Sequence, residues 1–87
     1  MRMLKIIKIL EDNGFTIKNN SETFVFAQAY INNKTIIVRC VKIHNKYELE
    51  VANFNNFKID NLSVFESENE SGVIENVLTF INNKSYH

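Results

Sequence analysis

Apolar positions along this chain repeat first with the period of a helix, then with that of strands, then with that of a helix again. Met3, Ile6, Ile7 and Leu10 fall at i, i+3, i+4 and i+7, one face of a helix. Arg2, Lys5, Lys8 and Glu11 take most of the other face, and Leu4 and Ile9 widen the apolar sector toward a sheet. Asn13-Gly14 ends that helix, because both residues tolerate the left-handed backbone of a C-cap. Alternation then takes over. Phe15 to Lys18 is a short strand, Asn19-Asn20-Ser21 a turn, and Thr23 to Ile31 a longer strand. In that strand Phe24, Phe26, Gln28 and Tyr30 share one face and Val25, Ala27, Ala29 and Ile31 the other. Both faces are apolar, which predicts a central strand.

Asn32-Asn33-Lys34 and His44-Asn45-Lys46 read as hairpin turns around the β-branched strand Thr35 to Ile43. Tyr47 to Val51 alternates most cleanly, with Glu48 and Glu50 facing out. Asn53 to Asn61 is either a bulged strand or a loop, and Leu62 to Phe65 is the last strand. Helical period returns from Glu68 to Asn83, with Val73, Ile74, Val77, Leu78 and Ile81 as its stripe and Phe80 on its flank. Ser67 with Glu70 three residues on fits a capping box, and Ser71 is an alternative cap. The fold class is therefore α+β. It comprises an N-terminal helix, an antiparallel meander of four to five strands and a C-terminal helix. Both helices lie on one face of the sheet.

At 87 residues the chain has room for one core, so residues 1–87 form a single domain. A core of this size gains from a partner, which leaves homodimer formation open. Net charge is zero but uneven: residues 1–47 carry eight basic and three acidic side chains, residues 48–87 two and seven. Such asymmetry bears on partners and self-association, not on fold. The two halves either neutralise each other within the chain or meet those of a neighbour. The single cysteine, Cys40, forms no internal disulfide. Arg2, Lys5 and Lys8 break any apolar leader or spanning segment, so the expectation is a cytoplasmic protein with no membrane role. Its Asn, Ile and Lys have AT-rich codons, which points to an AT-rich bacterium or its phage as the source.

No catalytic constellation emerges. Cys40 is mid-strand, His44 is in a turn and His87 is terminal; one Cys and two His do not make a zinc site. There is no phosphate-binding glycine loop, and no cofactor or metal is expected. The order helix, strands, helix looks like a double-stranded-RNA-binding domain, but that family has lysines where its second helix starts. Here Glu66, Glu68, Glu70 and Glu75 stand in that region, the wrong sign for phosphate. Lys34, Arg39, Lys42 and Lys46, with Tyr30 and Tyr47, are a lesser basic candidate. Direct nucleic acid binding is not expected.

The run Glu66-Ser67-Glu68-Asn69-Glu70-Ser71 has a second reading. With one residue inserted at Gly72, it continues into Val73, Ile74, Glu75, Val77, Leu78 and Asn82-Asn83. Together with the Phe15 to Lys18 strand, it resembles small phage-encoded anti-CRISPR proteins that inhibit the type II RNA-guided nuclease. The resemblance implies a non-enzymatic inhibitor whose carboxylates mimic nucleic acid. Its protein partner would be a basic, DNA-gripping surface of a host defence nuclease. Glu66, Glu68, Asn69, Glu70 and Glu75 would supply the contact, with Asp60 and Asn61 in the preceding turn inserting into a cleft. The neutral net charge and the additional Tyr47 to Phe54 stretch depart from that family. The alternatives are a small structural or assembly protein that forms a homo-oligomer, and a toxin-immunity protein.

Overall fold

The computed structural model describes residues 3–31, 33–55 and 57–84, with only the backbone at 60, 61, 81, 83 and 84. The order is α1 (Leu4–Asp12), β1 (Thr16–Ser21), β2 (Phe24–Ile31), β3 (Lys34–Ile43), β4 (Lys46–Asn55), β5 (Lys58–Ser67) and α2 (Glu70–Lys84). The strands form one antiparallel sheet in chain order, β1-β2-β3-β4-β5. Short turns force that arrangement, since consecutive strands joined by two residues can only run antiparallel. Asn33 and His44 adopt positive φ in two of the turns, and Gly14 (φ 88) closes α1. Asn13 also caps α1, donating from its Nδ2 to Ile9 O at 2.8 Å.

Both helices cover one face. α1 lies against β1 and α2, and α2 lies against β4 and β5. Met3 at the N-cap of α1, Ile6 and Leu10 of α1, and Val73, Val77 and Phe80 of α2 enter one core. Val25, Ala27, Ala29, Ile36, Val38, Cys40, Tyr47, Leu49 and Val51 meet them from the sheet. Leu4 does not widen the buried sector of α1; it is 62% exposed. Phe80 is core rather than flank, because α2 rolls its Val73–Val77–Phe80 row onto the sheet.

Several boundaries differ from the sequence reading. Asn19, Asn20 and Ser21 are in β1, paired with Phe26, Val25 and Phe24, and the turn falls at Glu22-Thr23. Lys34 and Lys46 open strands instead of ending turns. The ambiguous stretch is a hairpin: β4 runs on to Asn55, and β5 starts at Lys58 after a turn containing Phe57. Asp60 and Asn61 therefore belong to a strand, beside a bulge opposite Asn53–Phe54, and not to a turn. Backbone ladder bonds override the weak strand propensity of these Asn residues.

Strand β2 is internal, but β3 is the middle strand and the second face of β2 is not covered by a helix. Cross-strand register arranges that open face in rows. One row is Phe24, Val41, Glu48 and Glu66; the next is Phe26, Arg39, Glu50 and Val64. Then come Gln28, Ile37, Ala52 and Leu62, and finally Tyr30, Thr35, Phe54 and Ile59.

Candidate functional site

The junction between β5 and α2 is tight. Ser67 Oγ donates to Asn69 O at 2.8 Å and accepts from Asn69 N at 3.3 Å. Asn69 Oδ1 then accepts from Gly72 N at 2.8 Å, so Asn69 is the N-cap of α2. The Ser67–Glu70 capping box is not formed, and Ser71 lies inside the helix. Asn displaces the alternatives because its short amide reaches the third amide of the helix directly. A Cβ on Gly72 would overlap Ser67 Oγ, so any larger residue there must turn that hydroxyl away from Asn69.

The acidic residues separate into three groups. Glu66 and Glu68 are exposed at the end of β5, and Glu66 stands directly opposite Glu48 on β4. Lys46 and Glu68 border the same end of the sheet, around a small depression of about 240 Å³. Glu70 turns inward. It is half-buried, one carboxylate oxygen is sealed from solvent, and that oxygen has no hydrogen-bond partner among the described residues. Its charge lies near enough to Cys40 and Tyr47 to raise both, after burial as the larger cause. Glu75 is exposed on α2, about one and a half turns beyond Glu70. Asn61 is five residues before Glu66, about 17 Å along an extended strand. The structure thus groups Glu66 and Glu68 and adds Glu48. It withdraws Glu70, commits Asn69 to capping, and puts Asp60 and Asn61 elsewhere on β5.

In sequence, Glu48 shares a strand face with Glu50, which an alternating solvent face explains more simply than a carboxylate pair. Its pairing with Glu66 depends on a register across 18 residues, for which no local pattern exists. Like charges directly opposite on adjacent strands are destabilising. No ion pair among the described residues neutralises either one. Glu66→Gln is therefore expected to stabilise the fold by about 0.2–0.5 kcal/mol at low ionic strength, with the gain shrinking as salt is added. Thermal melts across a salt series check this, and a lower melting temperature at low salt would contradict it.

The basic candidate disperses. Arg39 gives both Nε (3.1 Å) and Nη2 (2.6 Å) to Glu50 Oε1 on the open face. Lys42 lies 5.7 Å from the centroid of the buried Tyr47 ring, while Tyr30 is exposed at the far end of the sheet. The Arg39–Glu50 pair joins the basic first half to the acidic second half within one chain.

Cys40 is fully buried, its thiol is pushed up to about 12, and it sits 3.9 Å from Met3 Sδ. A thiol held neutral in this way is a poor nucleophile. His44 is exposed at the β3–β4 turn, and His87 lies outside the described residues. Among the described residues no group of three or more His, Cys, Asp or Glu could hold a metal ion. Among them, too, no helix is long and apolar enough to cross a membrane. No protein-family model, curated protein or solved structure matches the chain.

Proposed function

We propose that this chain is a non-enzymatic, anti-CRISPR-like protein inhibitor. Its acidic edge, Glu48, Glu66 and Glu68, occupies a basic nucleic-acid-binding surface of an RNA-guided nuclease. The observation that carries this reading is the Glu48–Glu66 pair. The fold places two carboxylates side by side without a neutralising partner among the described residues. That arrangement costs stability, and a cationic surface would offset the cost on binding. A rigid sheet end fixes the relative positions of the charges. It also promotes encounter through long-range attraction.

The test is a target-cleavage reaction with a panel of RNA-guided nucleases. Wild-type protein is expected to slow at least one of them. The Glu48→Gln, Glu66→Gln, Glu68→Gln triple variant should raise the inhibitory concentration about 30-fold or more, matching the loss of a hot spot of ~2 kcal/mol. Because those substitutions relieve repulsion, the triple variant should melt no lower than wild type. Absence of inhibition across the panel, or undiminished inhibition by the triple variant, would sink the reading.

A further inference from the structure

We infer that the uncovered face of the sheet is a homodimer interface, with a second copy of this chain as its occupant. The inference goes beyond the inhibitor reading and does not depend on it. In an antiparallel sheet with one solvated face, outward positions are ordinarily polar. Here they are mostly apolar. Tyr30 is 71% exposed, Ile59 59%, Leu62 52% and Val64 59%. Phe24 and Phe26 lie beside them with stacked rings, 6.4 Å between centroids. Among the described residues no element packs on this face.

Its size fits a pair of copies. Five strands at ~4.8 Å spacing and the three rows that overlap, at about 7 Å each, give roughly 500 Å² per copy and about 1,000 Å² per dimer. That meets the ~1,000 Å² a specific interface needs. Charge also favours a like partner. The chain has zero net charge, so copies do not repel. The cation at the centre of the face, Arg39, is already paired with Glu50, so burial demands no counter-charge from across the interface.

A two-fold axis lying across the strands at the Ile37 row makes the contact self-complementary. It sets each Ile37–Leu62 row against its twin and each Arg39–Glu50 row under the partner's Tyr30–Phe54 row. The Glu48–Glu66 row then falls at the rim, beyond the apolar centre, where its carboxylates keep their water. Phe57 reaches the same rim from the opposite end. It is fully exposed and holds φ 68, a left-handed backbone that an aromatic residue adopts only at a cost. A contact with the second copy accounts for the exposed ring.

Sedimentation velocity on the full chain, from about 1 µM to about 500 µM, tests the proposal. A species of twice the 10.2 kDa chain mass, growing with concentration, is expected. Leu62→Lys and Val64→Lys, made separately, alter side chains already half exposed, so neither disturbs the core. Each should raise the dimer dissociation constant about 30-fold or more with an unchanged circular dichroism spectrum, the loss expected of a hot spot. A monomer throughout the range overturns the proposal, as does a dimer that both variants leave intact, which would put the interface elsewhere.

Discussion

Asn53→Val is expected to stabilise the fold by about 2–4 kcal/mol, an unusual direction for a core substitution. Asn53 lies on the covered face of β4, opposite Ile36 on β3 and Asn61 on β5. It is 0% exposed, and neither Oδ1 nor Nδ2 has a hydrogen-bond partner among the described residues. Each unmet polar group in such a place costs about 1–3 kcal/mol of lost hydration. Val removes both groups and is branched at Cβ, which suits a strand. For a domain of this size, the gain corresponds to a rise in melting temperature of at least about 8 °C. Thermal and urea denaturation measure it. A loss of stability would mean instead that the Asn53 amide is satisfied in solution, by buried water or another group.

Asn53 also marks the limit of what the sequence discloses. Alternation correctly put Tyr47, Leu49 and Val51 inward and Glu48 and Glu50 outward, because a strand with one buried face has a strict period of two. The same rule ran out at Asn53, where the buried position holds an amide and the apolar Phe54 points to the open face. The next turn also lacks its usual marker. Phe57 occupies a left-handed position that Gly, Asn or Asp normally takes, so the hairpin read as an ambiguous stretch. Layout, strand faces and helix faces were legible because they are local periodicities. Register was not. Glu48 meets Glu66 only through the β4–β5 ladder, and Arg39 meets Glu50 only through β3–β4.

Strand β2 shows a different failure. Two apolar faces in a sequence mean that both are buried somewhere, and within one chain that predicts cover on both sides. The structure supplies cover on one side only, because both helices are on the same face. The premise that apolar faces are buried survives if the second cover comes from another molecule. The acidic run was likewise legible as charge but not as geometry. Capping, core-facing and exposed roles alternate along Glu66 to Glu70, and only the fold assigns them.

Stability is expected to fall steeply above pH 9, with Cys40 as one identifiable cause. Burial, and then the Glu70 charge, push its thiol from 9.0 to about 12, and its hydrogen points toward a sulfur acceptor at Met3. In the unfolded chain the same thiol ionises near 9.0. Between those values the folded state holds a proton that the unfolded state has released. Raising pH then favours unfolding by up to about 1.4 kcal/mol per pH unit. The contribution is fully present below pH 9 and lost as pH rises toward 12, on the order of 4 kcal/mol in all. Tyr47 is raised in the same direction, by burial first and then by Glu70 and Cys40, and adds to the trend. For a chain whose whole stability is on the order of 5–10 kcal/mol, the roughly 2.7 kcal/mol that Cys40 removes by pH 11 is a large fraction of the total. Urea titrations at fixed pH values from 8 to 11 would read the slope directly. Cys40→Ala should flatten it by about one proton, while lowering stability at pH 7 through the lost packing. A slope unchanged by that substitution would place the responsible group elsewhere and leave the Cys40 thiol without the burial inferred for it.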